Sequence, residues 1–307
     1  MSGRTLQLFE RRIMLCLVVI VSATACGTGA VAAQTEADSL AIIKQISKAD
    51  TISQEGDSVY PVDLTSSVDL ASGVVDSLLP DFVGFGEGER LVYAVQYGIV
   101  NAGEATLEVR NIALIEDTPC YNIVSNARTN DVFSVFYKVR DRFVSLMDTT
   151  ELVSLRYEKH LREGRYKNDR HVVFDQKEHK AYYEDKVIPI APRTQDVLSA
   201  MYYVRTLPLE VGQSIAVANH TDGKNYPLLI KVLGEERVKV EAGTFDCLIV
   251  EPFLRYPGIY RQKGRVKVWV TKDRYHIPVL VKSKVIIGEV SAVLKEFRLA
   301  DKFRHEQ

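Results

Sequence analysis

From residue 90 onward, apolar side chains fall on every second position or gather in short runs of β-branched and aromatic residues, and this rhythm holds to residue 297. Alternation with a period of two gives an extended chain one apolar and one polar face, which predicts strands. Residues 91–100 predict a first strand, 101–104 (Asn-Ala-Gly-Glu) a turn and 105–116 a second strand; residues 120–130 predict a third. Three further pieces follow at 152–160, 164–175 and 180–190, with polar turns at 167–169 and 175–177. Their charged residues alternate with Leu, Tyr, Val and Phe, as in antiparallel strands with one wet face. More strands are predicted at 214–218, 226–233, 236–240, 246–252, 264–271, 277–287 and 289–297, with a turn at 241–245.

Two stretches depart from the alternation. Residues 196–205 place Val197, Met201 and Val204 on one helical face, extended by Leu198 and Tyr202. Asp196 offers an N-cap and Pro208 stops any continuation, so one helix packed against the sheet is expected. Residues 132–148 carry two signals: Val132, Val135, Phe136 and Val139 fit a helical stripe, whereas 143–147 read as strand. Nothing suggests a βαβ rhythm, which argues against a doubly wound fold. The expectation is a mostly β domain over 90–300, with a polar tail at 301–307.

The residues before 90 have a different texture. Residues 34–89 predict a small helical or irregular extension, with Leu40, Ile43 and Ile46 on a stripe inside 39–48 and a turn-rich stretch at 51–65. Residues 66–79 suit either helix or strand. This region reads as a linker or as a cover for the main domain. The glycines of Gly-Phe-Gly-Glu-Gly-Glu-Arg (84–90) precede a strand rather than leading from one into a helix, so a phosphate cradle fails on context. A flexible entry to the domain is expected there instead.

Residues 1–33 have the layout of a secretory signal: Arg11 and Arg12 precede an apolar run at 13–25 that is too short for a convincing membrane span. Two exits fit. Cleavage within Ala23-Thr24-Ala25-Cys26 would leave Cys26 as a lipidated first residue, although Ala23 stands where a larger aliphatic side chain is usual. An ordinary small-x-small cut at 30–32 or 31–33 is the other, and an uncleaved anchor helix is the remaining reading. Export is expected, to the periplasm or the outer membrane, with membrane association only through a lipid on Cys26.

Charge adds an exclusion. With 39 Lys+Arg against 40 Asp+Glu in 307 residues, the chain has no electrostatic footprint for nucleic acid. In an exported protein Cys120 and Cys247 either oxidise or remain buried thiols.

Candidate chemistry is sparse. None of the six histidines pairs at a ligand spacing; His171 and His179 could meet across a hairpin, but surface or turn positions explain them better. Ser199 lies within a helix and lacks a nucleophile elbow. Asp273 and His276 sit in a short polar connection between strands, where an aspartate accepts backbone N–H groups. No catalytic residue, metal or cofactor is implied, and a non-enzymatic protein is expected.

Several pieces together resemble the DUF3108 family of exported bacterial proteins of unknown function. They are YAVQYGIVNAGEATLEV (93–109), DVLSAMYYVRTLPLEVGQ (196–213), GEERV (234–238), EAGTFDCLIVEP (241–252) and the stretch 264–294, with Trp269, Thr271, Asp273, Pro278 and Gly288. The resemblance implies a curved antiparallel sheet or partly open barrel with a helix, in the style of lipid and lipoprotein carriers. It supplies no catalytic residues.

Some strands are apolar on both faces: Leu91, Tyr93, Val95 and Tyr97 oppose Val92 and Ala94, and Val279, Val281, Val285 and Ile287 oppose Leu280 and Ile286. A second apolar face needs a cover, a dimer partner or a hydrophobic ligand. The expected function is therefore binding of a lipid-like or other apolar ligand in the sheet's concavity. The alternative is a structural or protein-binding module of the envelope with a protein partner. Groove candidates are Tyr93, Tyr97, Tyr183, Phe253 and Trp269, with plain core packing as the alternative; Arg255 and Arg261 fall in a long hairpin loop that could grip an anionic headgroup or a partner, or be a solvated turn.

Overall fold

The computed structural model describes Pro80 and residues 82–254, 266–284 and 289–306. Residues 1–79, with the candidate signal segment and Cys26, lie outside the described residues, as do Arg255, Arg261 and residues 285–288.

Fourteen strands form one antiparallel sheet. In chain order they are β1 (Arg90–Tyr97), β2 (Val100–Ile115), β3 (Thr118–Thr129), β4 (Arg140–Asp148), β5 (Ser154–Glu163), β6 (Tyr166–Asp175), β7 (Lys180–Tyr182) and β8 (Val187–Pro189), then β9 (Ser214–Thr221), β10 (Lys224–Val240), β11 (Gly243–Leu254), β12 (Val266–Thr271), β13 (Pro278–Lys284) and β14 (Glu289–Arg298). Strand β1 lies inside the sheet: β2 to β8 follow on one side, and β14 back to β9 on the other. All neighbours are therefore sequential in the chain except β1 and β14, which pair from Arg90–Arg298 to Tyr97–Val290 and join the domain's two ends. Short sequential connections suit antiparallel strands. The sheet is curved and open, and the described residues include two short helices, α1 (Asp131–Phe136) and α2 (Val197–Val204).

Three turns fall elsewhere than the polar pattern predicts. The first hairpin turns at Gly98, whose φ of 59° is left-handed, while residues 101–104 lie inside β2. Gly103 is required for close approach instead: a Cβ there would stand 2.1 Å from the Arg128 carbonyl oxygen. Similarly, β5 turns into β6 at Gly164, and residues 167–169 continue β6. Residues 224–240 form one strand, not two, bent by a bulge between Val232 and Gly234.

The glycine-rich approach to β1 is packed, not loose. Phe85 is fully buried, with its ring 5.1 Å from Tyr121 and 4.7 Å from Tyr202. A Cβ on Gly84 would meet the Arg274 carbonyl at 2.8 Å. The end of the chain also contributes to the core, since Phe303 is buried in a 3-10 turn over Asp301–Glu306.

Helix α2 carries the expected N-cap and fills the space against β3, β4 and β9. Val197, Leu198, Ala200, Tyr202 and Tyr203 are all buried. Charged side chains inside the core fasten both of its ends. At the N-terminus, Asp196 Oδ1 accepts from the backbone N–H groups of Leu198 (2.7 Å) and Ser199 (3.0 Å). Its Oδ2 accepts from the hydroxyls of Ser145 on β4 (2.6 Å) and Ser154 on β5 (2.5 Å). At the C-terminus, Arg205 donates from Nη1 and Nη2 to the two carboxylate oxygens of Glu89, each at 2.8 Å, and from Nε to the Tyr275 carbonyl at 3.2 Å. His276 Nδ1 lies 2.9 Å from the Arg205 carbonyl, a helix-end acceptor.

A buried ion pair gives little net stabilisation over apolar residues of the same shape, but removing one partner strands the other in a dry core. Replacing Glu89 with Gln is expected to lower unfolding free energy by roughly 3–5 kcal/mol in urea denaturation. Lys272→Gln, which breaks the exposed pair with Glu235, is expected to leave the midpoint nearly unchanged.

Candidate functional site

Among the described residues, helix α2 packs on the concave side of the sheet against β3, β4 and β9. One apolar cavity of about 50 Å³ remains between the helix and β10–β13, lined by Met201, Val204, Leu228, Ile230, Val268 and Pro278 among others. That volume suits a few water molecules, whereas pockets for drug-sized ligands run to about 300–1,000 Å³.

The five described groove candidates are not brought together, and none lines this cavity. Tyr93 is buried on β1 and donates its hydroxyl to the Pro278 carbonyl at 2.9 Å. Tyr97 is half-buried in a small separate cluster with Val95, Ala105, Ala127, Val139 and Val290. Phe253 is half-buried on β11, under the Lys231 ammonium at 5.2 Å. Trp269 is buried, and its Nε1 donates to Glu236 at 2.8 Å. Tyr183 stands at the far edge of the sheet.

The Trp269 contact shows what covers the second apolar face on that side. Past its bulge, hairpin β10–β11 reaches over the neighbouring strands, and Ala242 at its tip donates to the Leu294 carbonyl on β14 at 3.2 Å. Phe245 meets Phe297 at 5.9 Å between centroids, and Val238, Trp269 and Leu248 share one core with the interior. The cover is the chain's own hairpin.

Tyr183 belongs to a polar seam between the two sheet edges. Its hydroxyl is 2.7 Å from His220 Nε2 and accepts from the Gly223 N–H at 2.9 Å; His220 Nδ1 is 2.6 Å from Asn225 Oδ1, and Asn225 Nδ2 donates to the Pro189 carbonyl on β8. Burial lowers the His220 pKa. A neutral ring with its proton on Nδ1 satisfies the run in one direction: tyrosine O–H to Nε2, then Nδ1–H to the amide oxygen. Lys159 pairs with Asp222 alongside, and Gln195 exchanges backbone hydrogen bonds with Ala218 and His220 of β9. The edges are thus joined by side chains and one bridge, between Gln195 and Asn219, rather than by a ladder.

The remaining readings of polar residues resolve simply. Asp273 Oδ1 accepts from the Thr271 hydroxyl and the backbone N–H groups of Tyr275 and His276, which makes it the centre of a turn. His171 faces His160 at 5.5 Å rather than His179. Cys120 and Cys247 are free buried thiols whose pKa values burial pushes up to about 11. Among the described residues no group of His, Cys, Asp and Glu is arranged to hold a metal ion.

The protein these features define is a β-scaffold: an open antiparallel sheet folded around one helix and partly covered by its own hairpin. The chain belongs to the family described as "Protein of unknown function (DUF3108)", whose model matches residues 92–295. Among solved structures it is similar to a beta-barrel-like protein of the domain of unknown function DUF1849 from Brucella abortus. That likeness has 9% identity and a TM-score of 0.50, and covers 71% of this chain and 99% of that one; it supports the fold alone. A candidate lipoprotein from Parabacteroides distasonis also aligns, with 12% identity, a TM-score of 0.33 and coverage of 70% and 98%. So does a candidate exported protein with a YmcC-like fold from Bacteroides fragilis, with 10% identity, a TM-score of 0.28 and coverage of 72% and 100%. Those two superpose too loosely to carry an argument. Among curated proteins none matches the chain.

A buried carboxyl pair gives a pH test of this packing. Asp141 on β4 accepts from the Arg162 N–H at 2.8 Å beside buried Glu163. Burial pushes its pKa up to about 6, against smaller lowering effects from that N–H, from Glu163 and from the Arg162 charge. The folded state therefore holds a proton that the unfolded chain has already released, and this contribution to stability is lost as pH rises from about 4 through about 6. Asp141→Asn is expected to match the parent at pH 4 and to exceed it by roughly 1–3 kcal/mol at pH 7. Parallel urea-midpoint profiles for the two proteins across that range would refute the assignment.

Proposed function

We propose that this protein is a non-catalytic module of the cell envelope that works as a structural or protein-binding scaffold rather than as a carrier of a small ligand. One observation carries the reading: helix α2 occupies the concavity, and charged residues fasten both of its ends to the surrounding core. A ligand of lipid size would have to displace the helix and break both attachments. Hairpin β10–β11 covers the apolar surface around Trp269, so neither of those faces waits for a ligand. The charged groups deepest in the core, Glu89, Asp196 and Arg205, are engaged in holding the fold, which supports a non-enzymatic role. The envelope location rests on the secretory layout of residues 1–33, with Cys26 as the candidate lipid attachment point.

A carrier is the second reading, favoured by the mainly apolar walls around Met201 and Val204, where Arg205 and His276 are the polar exceptions. Native mass spectrometry separates the two. Protein taken from its own envelope without detergent is expected at bare polypeptide mass, or with a protein subunit at fixed stoichiometry. A stoichiometric apolar adduct released only by denaturation would overturn the scaffold in favour of the carrier.

A further inference from the structure

Helix α1 faces the opposite way from a usual surface helix. Val132, Val135 and Phe136 recur at the spacing that normally points an apolar stripe at a core, yet they are 70%, 81% and 80% exposed, and no residue of α1 is buried. Beside it, the β1–β2 turn raises Ile99, 99% exposed, together with Val100. The two projections are tied into one unit. Asn130 donates its backbone N–H to the Ala102 carbonyl (3.0 Å) and its amide N–H to the Asn101 carbonyl (2.8 Å); its Oδ1 caps α1 by accepting from the Phe133 N–H (2.9 Å). These bonds hold the apolar side chains outward.

Cations lie close to α1. Lys138, Arg140 and Arg165 are exposed, and Gly164 donates to the Lys138 carbonyl at 2.8 Å, which brings the β5–β6 turn against the foot of α1. No described carboxylate forms an ion pair with any of the three. A polar depression of about 390 Å³ adjoins α1 and the start of β2, lined by Asn101, Glu104, Arg128, Asp131, Arg140 and Lys295 among others. Within it Glu104 is paired with Arg128, and Asp131 is the one acidic residue of α1.

We propose that this end of the sheet docks on an anionic bilayer surface, with Ile99, Val135 and Phe136 entering the headgroup layer and Lys138, Arg140 and Arg165 against lipid phosphates. Separate apolar projections beside a polar depression offer a protein partner no continuous patch. A fluid interface needs none, because lipid packs around each projection and supplies negative charge wherever the cations fall. This interaction goes beyond the scaffold reading and requires no lipid on Cys26.

Co-sedimentation with vesicles tests it, using the full chain carrying Cys26→Ser so that no acyl group can attach. The protein should bind vesicles of equal parts phosphatidylglycerol and phosphatidylcholine, and bind phosphatidylcholine alone at least about tenfold more weakly. Val135→Asp with Phe136→Asp should weaken the first interaction by about tenfold or more, and Lys138→Glu with Arg165→Glu should reduce it to the phosphatidylcholine level. All four positions are exposed, so the thermal midpoints should stay with the parent. Equal binding by the parent and the Val135/Phe136 variant would overturn the proposal and assign any affinity to another part of the chain. Failure to bind either vesicle would also overturn it; a lower oligomeric mass of the Val135/Phe136 variant would then assign the projections to contact between copies of the chain.

Discussion

Glu89 accepts two hydrogen bonds from Arg205 in a part of the core where both side chains are buried, and the arrangement of the interior follows from that pair. Glu89 directly precedes the first strand and Arg205 directly follows the helix, so the bond joins the start of the sheet to the element that fills it. The Arg205 guanidinium also lies 5.0 Å from the Tyr202 ring centre and 5.5 Å from that of Phe85, which extends the attachment into the aromatic centre of the core. Asp196 does the same at the other end of the helix through two serines on adjacent strands. A short helix of eight residues has little stability of its own. Its position here depends on packing and on these two attachments, and both would cost several kcal/mol to leave half-made.

The second apolar face has an equally local explanation. A bulge at Gly234 redirects the long β10–β11 hairpin so that its outer half lies over Trp269 and ends against β14. The hairpin therefore takes the place that a dimer partner or ligand would otherwise fill. The sheet is covered from within on that side, its edges meet through the Tyr183–His220–Asn225 run, and the three most exposed large apolar side chains among the described residues, Ile99, Val135 and Phe136, lie at the α1 and β1–β2 end.

Alternation along the chain made nearly every strand legible, because a half-buried strand must repeat with period two. Helix α2 was equally legible from Asp196, the 197/201/204 stripe and Pro208. What the pattern misplaced were events governed by backbone contact. Gly103 looks like a turn residue but serves close approach to Arg128, and the polar run 167–169 looks like a turn but lies on an exposed strand, while Gly98 and Gly164 take the left-handed φ. The glycines before β1 read as slack for the same reason, since nothing local reveals that Phe85 meets Tyr202 more than a hundred residues later. The groove candidates were chosen by residue type, and aromatic side chains in a β domain serve many faces; Tyr93, Trp269 and Tyr183 ended in three different environments. The partnership of Glu89 with Arg205 had no local signal, and of the stripe Val132, Val135, Phe136 and Val139 neither the end of α1 at Phe136, before buried Val139, nor the outward direction of its apolar side chains was legible.

Hydrogen exchange at the amides of α2 tests most directly whether the helix is a fixed part of the core. If the buried attachments hold it as described, the amides of residues 201–204 should exchange only through global unfolding, as slowly as those at the centre of β1 and β14. Exchange of the helix well ahead of the central strands, at a free energy far below that of global unfolding, would mean that it leaves the concavity in the native state, and the account of a filled interior would be wrong.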